Sequence, residues 1–331
     1  MSQPFATRRK FLGTMTATAG ALALPGAWAQ TAYPTRPLTM VHSFAAGSGT
    51  DNTGRVISDR LGEKLGHPVV EVNKPGASGV IGTEFAAQQP ADGHTLIMVA
   101  PEIMLVNPVL FRNPGYRVED FDPLTIIGFL PLVLMAPPGY KYDSLQQLRA
   151  AATASRQPVS FGSWGNGSVS HLYGIAFEAE TGIKLNFVPF QGSAPSTQAV
   201  LGGHVELTLA TAFTSVEHIK AGRAKALAIG GSARDPALPN VPTFAELGFP
   251  NIGAVQWHGI ATRAGGRRDI IDRLYTAVSQ VLAEPDTRAK VLRTGYSGID
   301  ARSPAEFASF VRTETPKWQR MVKTSGVTAD R

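Results

Sequence analysis

Along the chain, short apolar runs rich in β-branched residues alternate with stretches whose apolar residues recur at helical spacing. This alternation predicts an α/β fold with largely parallel sheets. Leu38-Thr39-Met40-Val41-His42-Ser43-Phe44 predicts a strand. A Gly-rich turn follows, and Ile57, Leu61 and Leu65 then mark one face of a helix that Gly66 ends. Val69-Val70-Glu71-Val72 and Thr95-Leu96-Ile97-Met98-Val99 predict the next strands. The loop Asn73-Lys74-Pro75-Gly76-Ala77 and a helix around residues 83–88 lie between them.

The same plan restarts at Val159-Ser160-Phe161. A second Gly-rich turn covers residues 163–167, and a helix then runs to about residue 180 with Leu172, Ile175, Ala176 and Ala179 inward. Strands at 185–189, 205–209 and 224–229 follow, with helices between them. Two units that each open with strand, glycine turn and helix predict two lobes. Residues 130–136 are continuously apolar until Pro137-Pro138-Gly139, and residues 255–261 form a second β-like run. Read as paired crossover strands, they divide the chain into lobe one, residues 30–132 with 254–331, and lobe two, residues 133–253. Helices at 270–282 and 304–323 then complete lobe one. A hinge needs only a few residues that absorb backbone rotation.

The N-terminus changes this picture by subtracting from it. Arg8, Arg9 and Lys10 precede an apolar stretch over residues 11–24, then Pro25 and Ala27-Trp28-Ala29. That order is the form of a signal peptide over residues 1–29, and Thr7-Arg8-Arg9-Lys10-Phe11-Leu12 fits the twin-arginine pattern. No later stretch reaches the ~18 uninterrupted apolar residues of a spanning helix, so the mature chain is expected to be soluble. Removing the leader takes three of the 31 basic residues and leaves 28 against 25 acidic ones. The remaining charges are mixed in sign, so no nucleic-acid partner is expected. The absence of cysteine excludes disulfides, thiolate metal sites and a cysteine nucleophile.

The candidate chemistry sits on the turns. Ala45-Ala46-Gly47-Ser48-Gly49-Thr50-Asp51 precedes a helix whose first N–H groups and positive dipole end suit an anion without any basic side chain. Asp51 or Thr50 can equally cap that helix. Gly47-x-Gly49 with Glu71 on the next strand also admits a dinucleotide reading, but Asn52 stands at the third glycine position. The second turn, Gly162-Ser163-Trp164-Gly165-Asn166-Gly167-Ser168, repeats the arrangement, with Ser168 as a natural N-cap and His171 three residues on. Ser168, His171 or Glu102 would be the reacting groups of an exported hydrolase or lyase. The Gly-x-Ser-x-Gly elbow is missing, however, because Asn166 and Ser170 occupy its glycine positions. The seven histidines show no ligand-like spacing, so neither metal nor cofactor is expected. Trp164 is expected to cover a cleft or stack on a ligand, whereas Phe44, Phe213 and Trp257 read equally as core. Glu102, following Pro101 at a strand end, is an odd acid for an anion site; it either meets a ligand amine or hydroxyl or is solvated.

These residues carry a resemblance. Tyr33-Pro34-x-Arg36-Pro37 before a strand, then Gly49-Thr50-Asp51, Asn73-Lys74-Pro75-Gly76-Ala77-Ser78-Gly79 and Ala91-Asp92-Gly93-His94-Thr95-Leu96 appear in the order found in the Bug family. Gly162-Ser163 through His171-Leu172, Val188-Pro189-Phe190-Gln191-Gly192-Ser193-Ala194-Pro195 and Leu238-Pro239-Asn240-Val241-Pro242-Thr243 extend it over the mature chain. Bug proteins are periplasmic solute receptors of tripartite tricarboxylate transporters. The resemblance implies a two-lobed periplasmic-binding-protein fold of the Venus-flytrap kind, each lobe a mostly parallel sheet flanked by helices. It implies a monomeric periplasmic receptor, not an enzyme, that passes a small carboxylate to membrane permease subunits. The ligand-binding positions it implies are Ala46, Gly47, Ser48, Gly49, Thr50 and Asp51 in lobe one. In lobe two they are Ser163, Trp164, Gly165, Ser168, Gln191, Gly192 and Thr211, and Glu102 is added from its place at a strand end. The chain departs from the family at Ala46 and Ser48, at the bulky Trp164, and at Ala210-Thr211, where an aspartate is common.

Overall fold

The computed structural model describes residues 33–327, so the leader expected over residues 1–29 lies outside the described residues. The chain opens with β1 (Leu38–His42), α1 (Gly49–Leu65), β2 (Val69–Asn73), α2 (Val80–Ala87) and β3 (Thr95–Val99). Helix α1 forms where the pattern puts it. Ser48 is extended and its Oγ accepts from the Asp51 N–H at 3.3 Å, while Gly66 ends the helix at φ +76°. Ile57, Leu61 and Leu65 are buried, each contributing about 1.5–3 kcal/mol of hydrophobic stabilisation. Gly54 lies on that inner face because a Cβ there would overlap the His42 ring.

After β3 the chain makes a wide π-helical turn, Glu102–Val106, and a short α3 (Asn107–Leu110). Strand β4 (Phe121–Ala136) follows, then α4 (Leu145–Ser155), β5 (Val159–Ser163), α5 (Val169–Thr181) and β6 (Leu185–Pro189). Next come α6 (Ser193–Leu201), β7 (Leu207–Thr211), α7 (Ala212–Lys220), β8 (Lys225–Ile229) and β9 (Val255–Arg263). Helices α8 (Arg268–Ala283) and α9 (Pro285–Arg293), strand β10 (Gly298–Ile299) and helix α10 (Pro304–Ser325) close the described chain.

The strands are ordered β2-β1-β3-β9-β4-β7-β5-β6, with β8 and β10 also paired to β4. Pairing is parallel in the two outer groups, β2-β1-β3 and β7-β5-β6, as the repeated strand-turn-helix plan requires. Around β4 and β9 it is antiparallel. The two crossover runs meet only at their edge, Leu130 and Pro131 against Gln256 and Val255. Strand β9 pairs with the first part of β4, from Phe121↔Arg263 to Pro131↔Val255, while Leu132–Met135 pair with β7. From the sequence alone, Pro123 and Gly128 argue against a strand over residues 121–129. Register shifts in β4 occur at both places, and bulges accommodate such residues.

The buried face of α5 is rotated from the expected one. Val169, Leu172, Tyr173 and Phe177 are buried, whereas Ala179 is exposed and Ile175 and Ala176 are half-buried. Two aromatic side chains decide this: Tyr173 meets Trp318 of α10 edge-on at 5.4 Å, and Phe177 meets Phe244 at 6.3 Å. Trp257 lies in the core against Phe307 and Phe310.

Candidate functional site

The first glycine turn is held together by its own acid. The Gly47 N–H donates to Asp51 Oδ2 at 2.8 Å, Arg55 donates to both oxygens at 3.0 Å, and Asn73 Nδ2 donates to Oδ1 at 2.8 Å. Burial raises the Asp51 pKa, but the Arg55, Gly47 and Asn73 hydrogen bonds outweigh it and hold the carboxyl at about 2. Asp51 is 2% exposed, so its oxygens serve the turn and not an incoming anion. Gly49 and Thr50 are the first helical residues. Their N–H groups have no intrahelical acceptor and no partner among the described residues.

Below this helix start lies a residue that sequence reasoning did not single out. A Cβ on Gly49 would stand 3.6 Å from His258 Cε1, ordinary contact distance. His258 Nδ1 shares a 2.6 Å hydrogen bond with the Tyr296 hydroxyl, and burial pushes the imidazole pKa down to about 3. The ring is therefore neutral at physiological pH. The α7 start comes close to the same place, since a Cβ on Gly295 would sit 2.8 Å from the Phe213 nitrogen. Thr211 heads α7, with its N–H directed to Ser193 Oγ at 3.4 Å and its hydroxyl bonded to Thr214 at 3.1 Å.

The second turn is more enclosed. Ser168 Oγ accepts from the His171 N–H at 3.2 Å, and His171 Nδ1 accepts from the Gly167 N–H at 3.0 Å. Serine and histidine are thus a cap and a packed imidazole, the latter edge-on to Phe187 at 4.6 Å, and they form no nucleophile–base pair. Gly167 has φ +74°, and a Cβ there would overlap Leu110 of α3, so this turn approaches the α3 end of the first unit closely. Ser163 and Gly165 run beside the loop over Phe190, Gln191 and Gly192. The Phe190 N–H donates to the Ser163 carbonyl at 2.8 Å, and Gln191 itself is exposed. Ser163 Oγ, Trp164 Nε1 and Ser170 Oγ are buried polar atoms without a partner.

Glu102 is not solvated. It is 5% exposed on the wide turn after β3, a type of distortion common at functional sites. The Val169 N–H, at the α5 start, and the Gln256 side chain both face its carboxyl and favour its charged form, while Oε2 remains unpartnered. Burial is the dominant influence and pushes its pKa up to about 7. Gln256 and His258 alternate with Trp257 on β9 and so share one face of the strand, about 7 Å apart at its ordinary rise. One end of that face meets the α1 start through His258, and the other meets the α5 start through Glu102. The dinucleotide reading loses its acid, because Glu71 is paired with the buried His42 ring. Among the described residues no group of three or more His, Cys, Asp or Glu could hold a metal ion. Surface grooves of 480 and 350 Å³ lie away from both turns.

Comparison with known proteins fits two glycine-turn helix starts gathered on one strand face. The model of the tripartite tricarboxylate transporter family receptor matches residues 53–327. The chain belongs to that receptor family. The receptor is 35% identical to Protein BugT of Bordetella pertussis over 317 residues, covering 95% of this chain and 96% of BugT. Among solved structures it is similar to an R. palustris protein with adipate, at TM-score 0.81 and 31% identity, covering 90% of this chain and 100% of that one. It is also similar to MatC from Rhodopseudomonas palustris with bound malate, at TM-score 0.78 and 28% identity, covering 88% and 100%. The fold is that of the periplasmic binding proteins, and the family is one of solute receptors, not of enzymes.

Proposed function

We propose that this receptor captures a small carboxylate between two lobes and delivers it to the permease subunits of a tripartite tricarboxylate transporter. The observation that carries the reading is the pair of unpartnered N–H groups at Gly49 and Thr50, backed by a neutral imidazole, with the nearby Arg55 already paired to Asp51. A ligand carboxylate there accepts charge-assisted bonds and meets the positive end of α1. Ala46, Gly47 and Ser48 shape the loop over it, and Asp51 fixes the loop from within. Ser163, Trp164, Gly165, Ser168, Gln191, Gly192 and Thr211 form the opposing wall. The lobes we assign are residues 30–132 with 254–331, and 133–253. The 2.9 Å bond from the Leu132 N–H to the Ala254 carbonyl, where β4 changes partners, supports that boundary. The leader over residues 1–29 directs a monomeric mature chain to the periplasm. Closure requires that the ligand touch both lobes, since equal affinity for open and closed forms shifts nothing.

A thermal-shift panel of organic acids tests the reading. An acid present at a hundred times its dissociation constant adds about 2.7 kcal/mol of stability. Gly49→Val adds a branched side chain at the helix start, beside the two N–H groups, so the shift is expected to disappear while the unliganded protein stays folded. No shift with any acid, or an undiminished shift in Gly49→Val, overturns the assignment.

A further inference from the structure

The start of α5 has the same donors and dipole as the start of α1, but there a buried carboxyl of this chain faces them. Glu102, on the wide turn after β3, turns its carboxyl toward the Val169 N–H and toward Gln256 on the β9 face. We propose that Glu102 is a specificity residue which stands in for a second ligand carboxylate, so that the site takes acids with one carboxylate and a hydroxyl or amine at the far end, and discriminates against dicarboxylates. This rests on the carboxylate-receptor reading above and narrows it.

Three observations carry the step. Glu102 is 5% exposed, and its Oε2 has no partner, so a buried acceptor waits for a donor. Above pH 7, where Glu102 is ionised, a ligand hydroxyl or ammonium supplies that donor, whereas a carboxylate brings like charge to a site that water cannot screen. Second, Ser163 Oγ, Trp164 Nε1 and Ser170 Oγ are also buried and unpartnered on the same turn and helix start. They add groups that can bond a hydroxyl, and none adds a positive charge to offset two carboxylates. Third, the spacing along β9 sets the geometry. Gln256 holds Glu102 and His258 underlies Gly49, about 7 Å apart along the strand, which suits a short linear acid reaching from one helix start to the other. The relatives solved with adipate and malate hold diacids, so the inference separates this receptor from them in ligand class.

The experiment is calorimetric titration of the mature receptor near pH 8, where the Glu102 carboxyl is ionised, with acids that differ only at the far end. γ-Hydroxybutyrate and γ-aminobutyrate are set against succinate, and ω-hydroxycaproate against adipate. The expected result is that a hydroxy or amino acid binds roughly tenfold to a hundredfold more tightly than its matched diacid, the effect of one charge-assisted hydrogen bond. Glu102→Gln, which keeps shape and removes charge, should abolish that ratio by gaining diacid affinity. A wild-type receptor that binds the diacid as tightly overturns the inference and leaves the carboxylate reading intact. So does a folded Glu102→Gln variant with an unchanged ratio. If that variant does not fold, the wild-type ratio decides alone. Binding of none of these acids, together with a blank thermal-shift panel, overturns both.

Discussion

Gly167→Ala isolates the close approach between the second turn and α3. The backbone there has φ +74°, and an alanine in that left-handed conformation costs about 1–2 kcal/mol. The added methyl would also overlap Leu110 Cδ2, and forcing a methyl into packed surroundings costs about 1–3 kcal/mol. The expected destabilisation is therefore about 2–5 kcal/mol. Leu110 is buried at 5% exposure, so Leu110→Ala alone also destabilises, by about 2–5 kcal/mol. In the double variant the overlap is gone but the backbone strain remains. Urea unfolding of the four proteins, with linear extrapolation, should show the double variant about 1–3 kcal/mol more stable than the sum of the single changes. Additivity within about 0.5 kcal/mol would refute the claim that Leu110 is what excludes a side chain at Gly167.

Two further outcomes follow from the acids. Asp51→Asn removes charge from four hydrogen bonds and should cost about 1.5–3 kcal/mol by chemical denaturation. Because the folded pKa of Asp51 lies below its free value of 3.8, the wild type holds this stabilisation above pH 3.8 and loses it as pH falls through about 2, and the variant should show no such loss. Glu102 has the opposite sign. Its folded pKa is raised from 4.5 to about 7, so its neutral form is favoured in the fold and stability declines as pH rises between those values. That decline amounts to about 3 kcal/mol, and a Glu102→Gln stability profile that still contained it would assign it elsewhere.

The local devices were legible in the sequence and the long-range ones were not. Ser48, Gly66, Ser168 and the turn glycines act within a few residues of themselves, so both glycine turns and the helices they open could be placed from the chain alone. The first part of β4 escaped notice because its proline and glycine are acceptable only when bulges and a β9 partner are known. The inner face of α5 is not legible locally for a similar reason: Trp318 and Phe244, distant in sequence, select Tyr173 and Phe177 over the small residues beside them. Helix α9 was missed, being short and opened by Pro285 directly after α8. At the site, single residues on the turns were nameable, but His258 was not. Period-two alternation on β9 puts Gln256 and His258 on one face, yet nothing local says which residues that face would meet. The place of Glu102 depends on three segments meeting, and no spacing along the chain encodes that.

Strand β4 runs unbroken for 16 residues and hydrogen-bonds with β9 along one stretch and with β7 and β8 along the next. A ribbon about 50 Å long thereby joins the β7-β5-β6 group directly, and the β2-β1-β3 group through β9. Loss of β9 strips partners from both β3 and β4, and loss of β4 strips them from β9, β7 and β8, so denaturation is coupled across the sheet.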